Sequence, residues 1–176
     1  DGRNFEYISG EDPLLGMMMV APAVEGIQGE GVIANAKHWV NNNQETNRSS
    51  QTAHVDERTQ FEIYYPPFEG AIDAGVGSVM CSYNLIAVDG AANGERWSCE
   101  NEVTLGHLKK NLNFSGWVMS DWGATHSASI IEGLDQEMPG GSKMKNVLDP
   151  LVQAGNISVD VVDRSVLRIL TPMFEM

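Results

Sequence analysis

Residues 116–122 read Gly116-Trp117-Val118-Met119-Ser120-Asp121-Trp122. A short apolar run of this kind predicts a buried strand, and here it ends in a carboxylate followed at once by an aromatic residue. A strand that lifts an acid to its C-terminal end is how parallel barrels present catalytic groups, and a flat ring beside it suits the apolar face of a sugar. A second reading stands beside the first: Ser120 and Asp121 are both good N-cap types, and Asp121 then serves only to start the next helix.

Working outward from this stretch, strand-like and helix-like segments alternate. Asp12-Pro13 predicts a helix start, with the helix running through Leu14, Leu15, Met18 and Met19 towards Val24 and Ile27, kinked or divided at Pro22. The Met residues read as packing side chains. Val32 to Ala36 predicts a buried strand that ends in Lys37-His38 and opens into an Asn- and Gln-rich loop over 41–48. Asp56 caps a helix through Phe61, Ile63, Tyr64, Phe68 and Ile72, broken at Pro66-Pro67. Gly77 to Asn84 predicts the next strand and its loop, followed by a Gly-rich stretch to Ser98. A helix over 101–111 precedes the opening stretch. Beyond it come a helix over 127–132, a short strand near 134–138, and helices around 147–153 and 159–170. Strands that alternate with helices, each strand ending in polar residues, predict an α/β fold.

Composition narrows the function. The 176 residues suffice for one domain. Eleven Lys and Arg stand against 24 Asp and Glu, for a formal charge of −13, which argues against nucleic acid or an anionic membrane as partner. The longest apolar stretch, Leu14 to Val24, is about half the length of a membrane span. The chain opens at Asp1-Gly2-Arg3 without an initiator Met, as an excerpt of a longer polypeptide does. Cys81 and Cys99 either pair or remain two thiols, and N-x-S acceptors occur at Asn47, Asn113 and Asn156. His54, His107 and His126 lack metal-ligand spacing, so no metal is expected. Ser82 and Ser120 have no nucleophile-elbow context, and Gly26, Gly29 and Gly31 form no dinucleotide fingerprint.

Eight ordered blocks carry a resemblance. Gly2-Arg3-Asn4-Phe5-Glu6, Asp12-Pro13, Ala36-Lys37-His38, Asn43-Gln44-Glu45, Val55-Asp56-Glu57-Arg58-Thr59, Val79 to Asn84, Val118 to Trp122, and Gly133-Leu134-Asp135 with Glu137-Met138-Pro139-Gly140 together resemble glycoside hydrolase family 3, in its β-glucosidase branch. The resemblance implies a partial (β/α)8 TIM-type barrel lacking its first strands, with residues 1–176 forming a single partial domain. It implies a retaining enzyme that releases terminal β-D-glucose from a β-glucoside or oligosaccharide through a glycosyl-aspartate intermediate. Asp121 matches the nucleophile; Arg3, Lys37, His38, Arg48, Met80, Tyr83 and Trp122 match residues that bind or line the glucose subsite. Lys37 and Arg3 are expected to keep Asp121 ionised. No cofactor is implied, and a secreted protein is expected.

The chain departs from the family pattern in two ways. The barrel's first strands are absent, and so is the second α/β domain whose Glu supplies the acid/base; Glu132 and Glu137 are not candidates for that role. Two alternatives remain: another family specificity, such as β-xylosidase, and a non-catalytic sugar-binding fragment. The Lys-His-Phe-Pro-Gly signature of β-N-acetylglucosaminidases is replaced here by Lys37-His38-Trp39-Val40-Asn41.

Overall fold

The computed structural model describes residues 8, 12–89 and 94–176. Helix α1 (Pro13–Gln28) begins where Asp12 accepts a hydrogen bond from Leu15 N at 3.0 Å. It passes Pro22 without dividing there. The carbonyl deprived of a partner is that of Met18, on the outward face, where a missing helical bond costs least. At its end Gln28 reaches three backbones: its amide nitrogen donates to Gly75 O at 2.9 Å, and its Oε1 accepts from Ala34 N and Gly77 N at 3.3 and 3.0 Å. One side chain thus ties together the approaches to two strands.

Strand β1 (Asn35–Trp39) lies three residues further along than the sequence indicates, so Lys37 and His38 belong to the strand and not to the loop after it. Burial decides the placement. Ala36, Trp39 and Val40 are buried, whereas Val32 is 58% exposed. Strand β2 (Thr52–Asp56) follows, then the single turn α2 (Glu57–Thr59), capped by Asp56, which accepts from Thr59 N at 3.0 Å. A π-helical turn over Gln60–Tyr64 leads to α3 (Pro66–Asp73), so the break falls at Pro66 as its ring requires.

Strand β3 (Ser78–Cys81) comes next, then β4 (Leu85–Asp89) and the two-residue β5 (Arg96–Trp97). Helix α4 (Glu102–Gly106) is capped by Asn101, continues as a π-helical turn over His107–Asn111, and precedes β6 (Trp117–Met119). The tail holds a π-helical turn over Met144–Leu148, α5 (Asp149–Gln153) and α6 (Val159–Glu175). Among the described residues no helix is long and apolar enough to cross a membrane.

The described residues form two small sheets. One is wholly parallel, in the order β1-β3-β6; the other, β2-β4-β5, pairs β2 with β4 in parallel and β4 with β5 antiparallel. The second sheet occupies stretches that read as loop, because its strands are only two to five residues long. The helix expected over 127–132 is a series of turns. Ser127 and Ser129 pair through their hydroxyls at 2.9 Å, and Ser129 bonds back to Ser127 O, bonds that compete with a helix. The strand expected near 134–138 shrinks to one bridge, Gln136 against Met119.

Trp39 anchors the core. Its ring stacks on Tyr65 at 4.5 Å, meets Phe68 edge-on at 4.9 Å, and donates its indole N–H to Thr104 O at 3.1 Å. Cys81 and Cys99 form a buried disulfide, with Cα atoms 5.2 Å apart, that closes the excursion containing β4 and β5. Strands β3 and β6 approach so closely at their starts that a Cβ on Gly116 would lie 2.1 Å from Gly77 O.

Two stability outcomes follow. Gly116→Ala should destabilise the fold by more than about 3 kcal/mol, because only backbone movement relieves the clash. Replacing both Cys81 and Cys99 with Ser should cost about 3 kcal/mol through the freed loop, read as a lower urea midpoint.

Candidate active site

Because β1, β3 and β6 are parallel neighbours, their C-terminal ends share one edge. In β1 and β3, Lys37 faces Met80, while the next aligned pair is Trp39 with Cys81. Two residues of β1 therefore oppose one of β3, and His38 is the extra residue of a bulge. Lys37, Met80 and Met119 are register partners across the sheet, and all three are half-buried. Register partners point to the same face, so they form one row just short of the strand ends.

Asp121 stands immediately beyond β6, its backbone N–H donating to Cys81 O at 3.2 Å. Among the described residues three donors meet its carboxylate. Tyr83 OH and Trp122 N lie 3.1 and 2.6 Å from Oδ1, and His38 Nε2 lies 3.1 Å from Oδ2. Its side chain is 18% exposed, whereas that of His38 is 1% exposed. Burial alone would raise the Asp121 pKa, but the His38 hydrogen bond, the Trp122 N–H, the His38 charge and the Tyr83 hydroxyl together lower it to about 2.

Tyr83 OH also lies 2.8 Å from Trp122 O, so its one proton is divided between that carbonyl and Asp121. The Arg48 guanidinium sits 4.5 Å over the Tyr83 ring, and its Nε is 3.4 Å from Glu45 Oε1. A cation over the ring face holds Tyr83 in place. Trp122 is 64% exposed and leaves a broad apolar surface beside the carboxylate.

Six of the eight sequence candidates thus gather around Asp121 or the sheet face below it: Lys37, His38, Arg48, Met80, Tyr83 and Trp122. Arg3 lies outside the described residues. One expected role changes: Asp121 takes its ion pair from His38, and Lys37 is not within ion-pair distance of it. The bulge turns His38 towards the carboxylate, while Lys37 stays in the regular ladder one row back.

Sequence reasoning passed over the side chains that hold the edge together. Ser98 Oγ bonds to Trp39 O and accepts from Ser82 N at 3.0 Å. Ser82 Oγ donates to Asn84 Oδ1 at 2.7 Å, and Asn84 Nδ2 donates to Val40 O at 3.1 Å. Ser120 Oγ accepts from Met138 N at 2.8 Å. A polar side chain just past a strand end was the available signal, present in Ser82-Tyr83-Asn84. Glu137 is occupied elsewhere, accepting from Ser142 Oγ, Lys143 N and Met144 N at 2.7, 2.8 and 3.0 Å.

Comparison with known proteins places this arrangement. The chain matches the glycosyl hydrolase family 3 N-terminal domain over residues 3–171. It is 44% identical to a probable β-glucosidase L of Aspergillus terreus, over 98% of this chain and 24% of that relative. Among solved structures, β-glucosidase D2-BGL of Chaetomella raphigera superposes with a TM-score of 0.88 at 37% identity, covering 99% of this chain and 24% of that one. β-Glucosidase 3B of Thermotoga neapolitana, in complex with glucose, gives 0.85 at 36% identity, covering 98% and 25%. The chain therefore spans about a quarter of the length of these relatives.

The lowered Asp121 pKa has a consequence for stability. A carboxyl with a depressed folded-state pKa contributes stability above its unfolded value, near 4, and loses it as the pH falls towards 2. Between pH 4 and 2 the protein should lose at most about 2 kcal/mol through this group. Denaturant titrations at both pH values should show a smaller loss in Asp121→Asn.

Proposed function

This chain belongs to glycosyl hydrolase family 3, and from that premise we propose that it carries the nucleophile and most of the glucose subsite of a retaining β-glucosidase. In this reading Asp121 attacks the anomeric carbon of a terminal, non-reducing β-D-glucosyl residue. A carboxylic acid on the other side protonates the departing oxygen, leaving a glycosyl–Asp121 ester. The same group, now a carboxylate, takes a proton from water, and the water hydrolyses the ester with net retention. Two carboxyl groups suffice for this chemistry, so no metal or cofactor takes part.

The observation that carries the reading is the state of Asp121, a largely buried but still accessible carboxylate that donors from His38, Tyr83 and Trp122 keep ionised at the shared edge of three parallel strands. Ionised, it is a nucleophile and not an acid. Lys37, His38, Arg48 and Arg3 are assigned to the sugar hydroxyls, Met80 and Tyr83 to the wall of the subsite, and Trp122 to the C–H face of the ring. Names of the relatives support glucose as the sugar.

The acid/base is assigned to a Glu outside this chain, in a second α/β domain. In support, Glu137 is spent on capping a turn, and the chain covers a quarter of its relatives. Residues 1–176 are assigned to one partial (β/α)8 barrel. Among the described residues β1 is the outer strand of its sheet, and α1 leaves an apolar face exposed (Leu14, Leu15, Met18, Met19), which together support further strands and helices. A secreted protein is supported by the disulfide and by the exposed N-x-S sites at Asn47, Asn113 and Asn156. A neutral glucoside agrees with the net charge of −13, which disfavours nucleic acid and membrane surfaces.

Treatment with an activated 2-deoxy-2-fluoro-β-glucoside tests the reading, since a good leaving group needs little acid assistance. One glucosyl group per chain is expected on the peptide containing Asp121. Asp121→Asn should abolish it while leaving folding stability within about 2 kcal/mol. A folded wild-type protein that takes no label would contradict the proposal.

A further inference from the structure

The middle of β6 is held by a buried carboxylate that the chemistry above does not use. Asp135, with its side chain 2% exposed, accepts from Val118 N at 2.8 Å and returns its own N–H to Val118 O at 2.9 Å. Both polar groups of one strand residue are thus clasped by one neighbour. The same carboxylate meets Lys109 Nζ at 2.6 Å and accepts from Ser165 Oγ at 2.9 Å. Less than a turn further along α6, Arg168 donates to the carbonyls of Phe114, Ser115 and Gly116 at 2.9, 3.1 and 2.9 Å. The helical turn bearing Lys109, the segment at Asp135 and helix α6 converge on the residues that lead into Asp121.

A stability role alone accounts poorly for this group. Removing an ion pair from water offsets most of its Coulombic gain, and an apolar pair of similar size commonly serves as well. An apolar pair lacks one property: it cannot fix the direction and height of the Val118 N–H. Strand β6 is three residues long, and the His38 and Tyr83 contacts to Asp121 are each 3.1 Å. A slip of a few tenths of an ångström at Val118 is carried to that carboxylate.

We propose that Asp135, supported by Lys109 and Ser165, is a positioning residue that sets the height of β6 so that Asp121 meets His38 and Tyr83. The proposal rests on Asp121 being the nucleophile. Labelling by the activated 2-fluoro-glucoside separates the two ideas: a wild-type protein without label defeats the nucleophile assignment, whereas the positioning role is judged from variants once wild type labels.

Two variants are measured for the inactivation rate constant, the half-saturating concentration and the melting temperature. One is Asp135→Ala, which removes the acceptor of the Val118 N–H; the other is the apolar pair Lys109→Met with Asp135→Leu. Positioning predicts a rate constant at least about tenfold lower in both, with half-saturation within about threefold of wild type. The apolar pair also strips the buried Val118 N–H and Ser165 hydroxyl of their acceptor, so its melting temperature should fall by several degrees, and the loss of rate is read on protein that is still folded at the assay temperature. A rate constant within about twofold of wild type in either folded variant overturns the proposal. Should the apolar pair fail to fold, Asp135→Ala decides alone by the same criterion.

Discussion

Three neighbouring strands end on one carboxylate. His38 comes from β1, Tyr83 from the turn after β3, and Asp121 with the Trp122 N–H from the end of β6. Partly removing a carboxylate from water is unfavourable unless donors replace the lost hydration, and His38, Tyr83 and Trp122 N–H supply them here. Much of the local backbone answers to that need. The bulge in β1 turns His38 towards the site without moving Trp39 out of the core. Ser82, Asn84 and Ser98 then bind the carbonyls of Trp39 and Val40, holding the bulged end against β3. The Cys81–Cys99 disulfide fixes the residue whose carbonyl accepts the Asp121 N–H.

Legibility in the sequence followed the length and regularity of each element. Helix α1 was readable because Asp12 and Pro13 mark its start, and α6 was readable over 159–170, the structure carrying it on to Glu175. Strands β3 and β6 were readable as apolar runs ending in polar residues. Strand β1 was displaced by three residues because Val32 and Ile33 look like strand while Lys37 and His38 look like loop; burial of Trp39 and Val40 outweighs that pattern. The second sheet was invisible because its strands are short and its pairing is between distant segments, Thr52–Asp56 with Leu85–Asp89. Ser127 and Ser129 looked like the start of a helix, but their hydroxyls bond to each other.

For the site, residue types were legible and contacts were not. Asp121, His38 and Tyr83 stood out as polar groups at strand ends, yet Lys37 looked like the better partner for the acid. Which of two consecutive residues faces a ligand depends on a bulge, and a bulge is set by pairing with β3, which local pattern does not record. The clasp at Asp135 was likewise hidden, since Lys109, Asp135 and Ser165 are 26 and 30 residues apart along the chain. Asp135 was visible only as part of a block that carried the family resemblance.

The most direct test concerns the charge state of Asp121 itself. With aspartate labelled at its carboxyl carbon, the Asp121 resonance, assigned by its absence in Asp121→Asn, can be followed from pH 6 downward in the folded protein. A midpoint near 2 is expected from the His38, Trp122 and Tyr83 contacts. A midpoint at or above about 4, the value of an unperturbed aspartate, would contradict a nucleophile held ionised by its neighbours.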